Sequence, residues 1–506
     1  EIASCLVGSE MCIRDSTIPL QPTGSGEGTG CVASRVFLSL FNDAPTAAWL
    51  DSSGNGGNIS VLANNAGPLA DTWLPQVDSS KAFFSQLRQS LPARVEVPDN
   101  WPCDFALGWV GALGYGVEDI ARSYEDHPDA ALLYADRAVV IDHAAAVAYA
   151  MAILPDANNE QDAHAQQLAW LDATVAEVQR IARVPFSTED FAHSTPAPRT
   201  AIFHFDQSKQ QYLDSIQRCL DYIAAGDSYE VCLTNTARGP ALRDLPEFRS
   251  ATTPVPSPSA VSSASCESAE LCAYLRLREV SPVPYGAFLR FHRPGQAPLH
   301  ILSASPERFL KISPSGEVSA KPIKGTRPRV EDAVADAKGR HELQSNPKDR
   351  AENLMIVDLL RNDLGRVCEP GSVQVPIIFS VESFSHVHQL VSTITGQLRT
   401  GLEAVDVIEA SFPGGSMTGA PKIRTMQIIE ELEPRPRGLY SGAIGWISPN
   451  TAAEMNITIR TLVDDGRECS FGVGGAIVAD SDPLAEHEET LVKAAALLEA
   501  LGGQIV

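Results

Sequence analysis

Short apolar runs, each bounded by turn residues, recur along most of this chain, and they commit it to a fold dominated by sheets. Val36-Phe37-Leu38, Ala48-Trp49-Leu50, Ile59 to Leu62, Phe105 to Gly111 and Val139 to Asp142 read as strands in the first part. Asp227 to Asn235, Tyr285 to Phe291, His300 to Ser303, Phe309 to Ile312 and Phe471 to Val478 read the same way further on. Helical spacing intervenes at Lys81 to Leu91, with Phe84, Leu87 and Leu91 on one face. It returns at about 160 to 183, carrying Leu168, Leu171, Val175, Val178 and Ile181, and at Gln210 to Ala225, which Gly226 ends. No repeat of fixed period is present, and no apolar run reaches the ~18 residues that span a bilayer.

At 506 residues the chain suffices for two or three ordinary domains or one unusually large one. Lys and Arg number 39 against 63 Asp and Glu, a net charge of −24, which argues against a nucleic-acid or membrane partner. An anionic substrate would therefore need local cations or a metal. Ten cysteines without a CxxC pair read as reduced thiols, placing the chain in a cytosol or a plastid stroma.

The chain starts at Glu1 rather than Met and is expected to be a fragment. Residues 4–16 read as a translated sequencing adapter and are set aside, and 23–30 have a linker's composition, so a domain is expected to have been lost upstream. Residues 1–30 thus form a non-native start and flexible linker. Residues 31–190 make a strand-rich half, with a Pro/Ser/Thr-rich junction at 184–200. Residues 200–506 make a second half with a disordered insert at about 249–267.

Several residues stand out chemically. Lys324 sits between Ile323 and Gly325 in an extended segment after Pro322. It is either a snorkelling strand lysine or an amine whose pKa burial depresses; bringing it from ~10.4 to near 7 takes roughly 4–5 kcal/mol. Glu307, after the turn at Pro306, is a solvated turn residue or a general acid kept protonated by burial. Glu352 lies in the first turn of a helix that reads as apolar nearly all round, so it is salt-bridged or metal-bound. Glu486 and Glu489, at i and i+3 in the last helix, are an acidic helix start or ligands for a hard cation such as Mg²⁺. Phe412 to Lys422 departs from a Walker loop, which rejects nucleotide binding, and Arg460 suits a carboxylate.

Together and in this order, these segments resemble the chorismate-utilising enzymes, the family of component I of the anthranilate and aminodeoxychorismate synthases. The strings that carry the resemblance are Gly226-Asp227-Ser228-Tyr229-Glu230-Val231, Ser305-Pro306-Glu307-Arg308-Phe309, Pro322-Ile323-Lys324-Gly325-Thr326, Asp349-Arg350-Ala351-Glu352-Asn353 and Gly419-Ala420-Pro421-Lys422. The resemblance implies an α+β fold: a large two-layer antiparallel β-sandwich with flanking helices. It implies Lys324 and Glu307 as catalytic residues, and Glu352, Glu489 and Glu486 as ligands of Mg²⁺. Tyr440, Arg460, Gly474, Gly475, Ser416, Thr326 and Lys493 would contact substrate. Anthranilate synthases generally carry Ala where Lys324 stands, so the resemblance points to conversion of chorismate and ammonia into 4-amino-4-deoxychorismate, on the route to p-aminobenzoate and folate, through a Lys324 adduct. The ammonia would come from a glutamine amidotransferase subunit or a lost fused domain. Anthranilate synthesis and a non-catalytic chorismate-binding subunit are the alternatives. Gln389, with His388 before it, stands where anthranilate synthases have His. Leu50-Asp51-Ser52 only partly matches a tryptophan-binding Leu-Leu-Glu-Ser, leaving feedback open.

Overall fold

Alternation of side chains along single strands builds two cores on opposite faces of one sheet. In Ala47–Asp51, Ala48 faces one core while Ala47 and Trp49 face the other; in Tyr285–Phe291, Ala287 and Leu289 are opposed to Phe288. The computed structural model describes residues 11–20, 28–52, 59–91, 95–98, 101–124, 127–156, 158–184, 200–249, 268–384 and 387–506. Most of the 184–200 junction and of the insert at about 249–267 lies outside them.

Among the described residues the larger sheet has fourteen strands and the smaller ten. The larger runs from Gly503–Ile505 through Ala201–Phe205, Glu230–Pro240, Glu468–Ile477, Thr461–Asp464, Leu299–Ser305, Tyr285–Phe291 and Ala47–Asp51 toward Met11–Pro19 and Val95–Glu96. The smaller begins with Ile323–Pro328 at one edge and includes Val387–Gln397, Arg308–Ile312, Ala443–Ile447 and Gly108–Leu113. Every ladder is antiparallel except Met11–Pro19 with Val95–Glu96 and Ala201–Phe205 with Gly503–Ile505. Leu289 and Ile301 of the larger sheet share a core with Val110, Leu310 and Ile457 of the smaller, which is the expected two-layer sandwich.

Helices Gly28–Leu40, Gln161–Arg183, Ala269–Val280 and Pro483–Leu501 cover the other face of the larger sheet. There Trp49 lies 5.3 Å from both Phe37 and Tyr274, each measured between ring centroids. The two halves of the sequence join within both sheets. Ala47–Asp51 pairs with Tyr285–Phe291, and Gly108–Leu113 with Ala443–Ile447.

Four local expectations are corrected. Val36-Phe37-Leu38 belongs to the helix Gly28–Leu40, because buried Ala33, Val36 and Phe37 recur at helical spacing that a three-residue window cannot reveal. Of the segment set aside at 4–16, residues 11–16 lie in the strand Met11–Pro19, which pairs along Val147–Leu154 with Ile13 and Ile18 buried in opposite cores. The helix Pro347–Gly365 is not apolar all round. It buries Glu352, Asn353, Ile356, Val357, Leu360, Asp363 and Leu364, whereas Leu354, Asp358 and Arg361 face solvent. Finally, Cys103, Cys219, Cys232, Cys368 and Cys469 are free thiols, but Cys272 is disulfide-bonded, so the cysteines are not uniformly reduced.

Candidate active site

Lys324 owes its position to a bulge. The pairing of Ile323–Pro328 with Val387–Gln397 slips between Ile323 and Thr326, and Gly325 takes φ +81°. A Cβ there would lie 2.8 Å from the Asp349 carboxylate and 2.9 Å from Leu343, so both side chains would have to shift, and the left-handed φ would be strained for any residue but glycine. The bulge releases Lys324 from the ladder, and its Nζ donates to Glu230 Oε1 at 2.6 Å. The two side chains are 10% and 0% exposed.

This contact reverses the expected titration of the lysine. Burial does press the ammonium toward neutrality, but Glu230 and then Glu352 outweigh it and hold Lys324 above the usual lysine range. The neighbours within the strand foretold only the desolvation. The carboxylate arrives from the strand Glu230–Pro240, 94 residues away in sequence.

Glu307 is buried rather than solvated. Its main chain is pinned by an Ile457 N–H donating to its carbonyl at 3.0 Å, and the adjoining Ser305 hydroxyl donates to Ile457 O at 2.6 Å. Burial pushes the Glu307 carboxyl up to about 7, against the Ser416 hydroxyl, the charges of Lys324 and Lys493, and the Ile323 amide, all of which favour the anion. Such a group still carries its proton near neutrality, as a general acid must.

The helices Pro347–Gly365 and Pro483–Leu501 bring further carboxylates. Glu486 accepts from Ser481 Oγ at 2.6 Å and from Lys348 Nζ at 3.0 Å, while Lys348 is 3.8 Å from Glu352. Burial pushes Glu352 up to about 7; Glu230 and Glu486 add to the rise, and Lys324 and Lys348 oppose it. Glu489 is exposed and pairs with Lys493 at 2.7 Å. Although partial enclosure works the other way, that ammonium holds Glu489 below the usual carboxylate range.

Among the described residues, Glu352, Glu486 and Glu489 do not place three donor atoms within 4.8 Å of one another, and Lys348 supplies the positive charge between the first two. Their donors are nonetheless all carboxylate oxygens, the set a hard cation takes. Lys493 also donates to Gly474 O at 2.9 Å, and a Cβ on Gly475 would approach Glu486 Oε2 to 3.3 Å.

The remaining expected contacts divide between two cavities. Arg460, in a left-handed conformation at φ +49°, has no acidic partner among the described residues. It lines a cavity of about 190 Å³ with Pro282, Pro284, Pro306, Phe384 and Gln389, next to Glu307. Tyr440 instead packs against bare Gly472 beside a separate, smaller cavity with Arg437 and Thr461, so it is not brought to Arg460. Thr326 is exposed, opposite Gln389. His388 is locked between Ser383 Oγ at 2.7 Å and Asp336 at 3.1 Å.

The string Gly419-Ala420-Pro421-Lys422 has a structural reason. A Cβ on Gly419 would strike Glu230 O at 2.0 Å, and Lys422 is tied to Asp363 at 2.8 Å and to Ser411 O at 2.9 Å. Two residues of the site escaped the sequence-based selection, Glu230 and Lys348. Their signals were a carboxylate in an apolar strand and a lysine four residues before Glu352.

The family described as chorismate binding enzyme matches residues 46–260 and 257–499. An aminodeoxychorismate synthase of Streptomyces griseus is 44% identical over 493 residues, covering 93% of this chain and 62% of that protein. The chain thus spans about three-fifths of that relative's length. Aminodeoxychorismate synthase component 1 of Klebsiella aerogenes is 37% identical, covering 77% of each. Among solved structures, anthranilate synthase component I of Streptococcus pneumoniae TIGR4 aligns with a TM-score of 0.66 at 26% identity, over 88% of this chain and 93% of that one.

Proposed function

The chain belongs to the chorismate binding enzymes, and we propose that it joins ammonia to chorismate to give 4-amino-4-deoxychorismate. The observation that carries this reading is the buried Lys324–Glu230 contact beside Glu307, a carboxyl group that keeps its proton near neutrality. Lys324 begins as an ammonium, so it must lose a proton before it can attack. Glu230, already bonded to it, is the acceptor. The freed amine bonds ring carbon 2, the ring double bonds shift, and the bond from carbon 4 to oxygen breaks. Glu307 gives its proton to the departing hydroxyl, which leaves as water.

Ammonia then bonds carbon 4 as the carbon–Lys324 bond breaks. The surplus proton on the new ammonium passes to Glu307, and Glu230 returns its own to Lys324. The enolpyruvyl group stays in place, and the sum is chorismate plus ammonia to the aminated ring plus water. The covalent step divides one hard substitution into two easier ones.

A net charge of −24 repels a dianion at long range, and Arg460 and Lys493 offset this locally. Glu352, Glu486 and Glu489 are the residues that would hold Mg²⁺, which when bound neutralises one substrate carboxylate. The ammonia source in this reading is a glutamine amidotransferase, as a separate subunit or a fused domain. Among the described residues no helix is long and apolar enough to cross a membrane. We place the reaction in a cytosol or plastid stroma.

The test is to supply chorismate, Mg²⁺ and an ammonium salt and to separate products by chromatography. We expect aminodeoxychorismate without release of pyruvate, no turnover with glutamine alone, and no mass-detectable adduct in Lys324→Ala. Anthranilate with pyruvate would replace this reading by the anthranilate synthase one.

A further inference from the structure

A second group of ionisable side chains converges on the other face of the larger sheet, beneath the helix Ala269–Val280. His300, on Leu299–Ser305, stands directly across the ladder from Asp464, on Thr461–Asp464, so both project from the same face. Glu270 reaches them from the first turn of the helix. One donor atom from each of the three lies within 4.8 Å of the others.

Two of these groups, His300 and Glu270, lack their ordinary hydrogen-bond partners among the described residues. His300 is 6% exposed, neither ring nitrogen has a hydrogen bond among the described residues, and Nδ1 is fully enclosed. A buried imidazole without a partner, aimed between two carboxylates, costs free energy unless something accepts its lone pair. Glu270 has neither a hydrogen bond nor an ion pair among the described residues. Arg290, opposite His300 in the neighbouring ladder, gives its guanidinium to the carbonyl oxygens of Asn42 and Ala44.

Asp464 differs, and usefully. One oxygen accepts from Leu242 N–H at 2.6 Å and the other from Gly466 N–H at 2.7 Å. Those bonds fix the carboxylate in place while each oxygen keeps a lone pair, as outer partners of a metal ligand do.

We propose that Glu270, His300 and Asp464 bind a divalent transition-metal ion such as Zn²⁺, which ties the helix Ala269–Val280 to the sheet. One imidazole nitrogen and two carboxylate oxygens suit an ion of borderline softness better than Mg²⁺, and three protein donors leave a position for water. The site is distinct from the cleft around Lys324.

The test uses the full chain, stripped with a chelator and titrated with Co²⁺ in excess Mg²⁺. Wild type should take up one equivalent, show the visible ligand-field absorption of bound cobalt, and gain thermal stability. Glu270→Gln changes a half-buried residue and spares the core; it should weaken binding at least about tenfold, and His300→Ala should do the same. Glu352→Gln, in the cleft, should leave cobalt binding intact. Absence of cobalt uptake by wild type, unchanged uptake in Glu270→Gln, or loss of uptake in Glu352→Gln would each overturn the assignment.

Discussion

Replacing Glu307 by Gln should abolish catalysis and yet make the protein more stable in alkali. The parent carboxyl titrates at about 7 instead of 4.5 because burial resists its charge more than Ser416, Lys324, the Ile323 amide and Lys493 favour it. The folded protein therefore binds one more proton than the unfolded chain between those two values. Stability falls as pH rises through that window and stays low above it. At 1.36 kcal/mol per tenfold change in proton affinity, the loss is roughly 3 kcal/mol. Glutamine has no charge to bury, so Glu307→Gln removes the loss while keeping a hydrogen-bonding side chain beside Ser416. Thermal midpoints of parent and variant, measured without substrate, should differ little at pH 5, and the variant should melt higher at pH 8.5. Glu352 titrates in the same window in both proteins and cancels. An offset between the two proteins that does not change with pH would refute the reasoning, because it would mean that Glu307 is already ionised in the fold.

Glu230→Gln removes the proton acceptor of Lys324, so the rate of adduct formation should become steeply dependent on pH, rising about tenfold per unit where the parent is flat; a profile parallel to the parent's would dismiss that role. Gly325→Ala forces a Cβ against Asp349 and Leu343 at a left-handed φ. It should cost about 1–3 kcal/mol and lower kcat at least tenfold by displacing Lys324, which stopped-flow and unfolding measurements can check. Lys348→Met deletes the ammonium between Glu486 and Glu352. If Mg²⁺ and Lys348 compete for those carboxylates, half-maximal activation should need less Mg²⁺, whereas a higher requirement would show that the lysine organises the site.

The parts of the fold legible in the sequence were those with enough residues to display a period. Gln161–Arg183 and Tyr285–Phe291 lie where their spacing put them. Val36-Phe37-Leu38 misled because three apolar residues fit either period, and the buried face of Pro347–Gly365 was hidden because Leu354 and Met355 continue the apolar run onto its outer side. In the site, Lys324, Glu307 and Glu352 were visible singly but their protonation was not. Nothing along Ile323–Pro328 announces that a fully buried carboxylate from Glu230–Pro240 will meet the lysine, and that meeting decides whether it is charged. Burial of Glu307 likewise depends on Ile457 and Ser416, both far away in sequence.

The pairing of Gly108–Leu113 with Ala443–Ile447 bears on how such a polypeptide is made. During synthesis, the earlier strand leaves the ribosome and waits for a mate encoded more than three hundred residues downstream. Ala47–Asp51 waits similarly for Tyr285–Phe291. Until then each exposes an unsatisfied, apolar edge, the kind of surface that sticks to other nascent chains. Slow maturation and a need for chaperones follow from this wiring, and truncation after the first half should yield insoluble material rather than an autonomous domain.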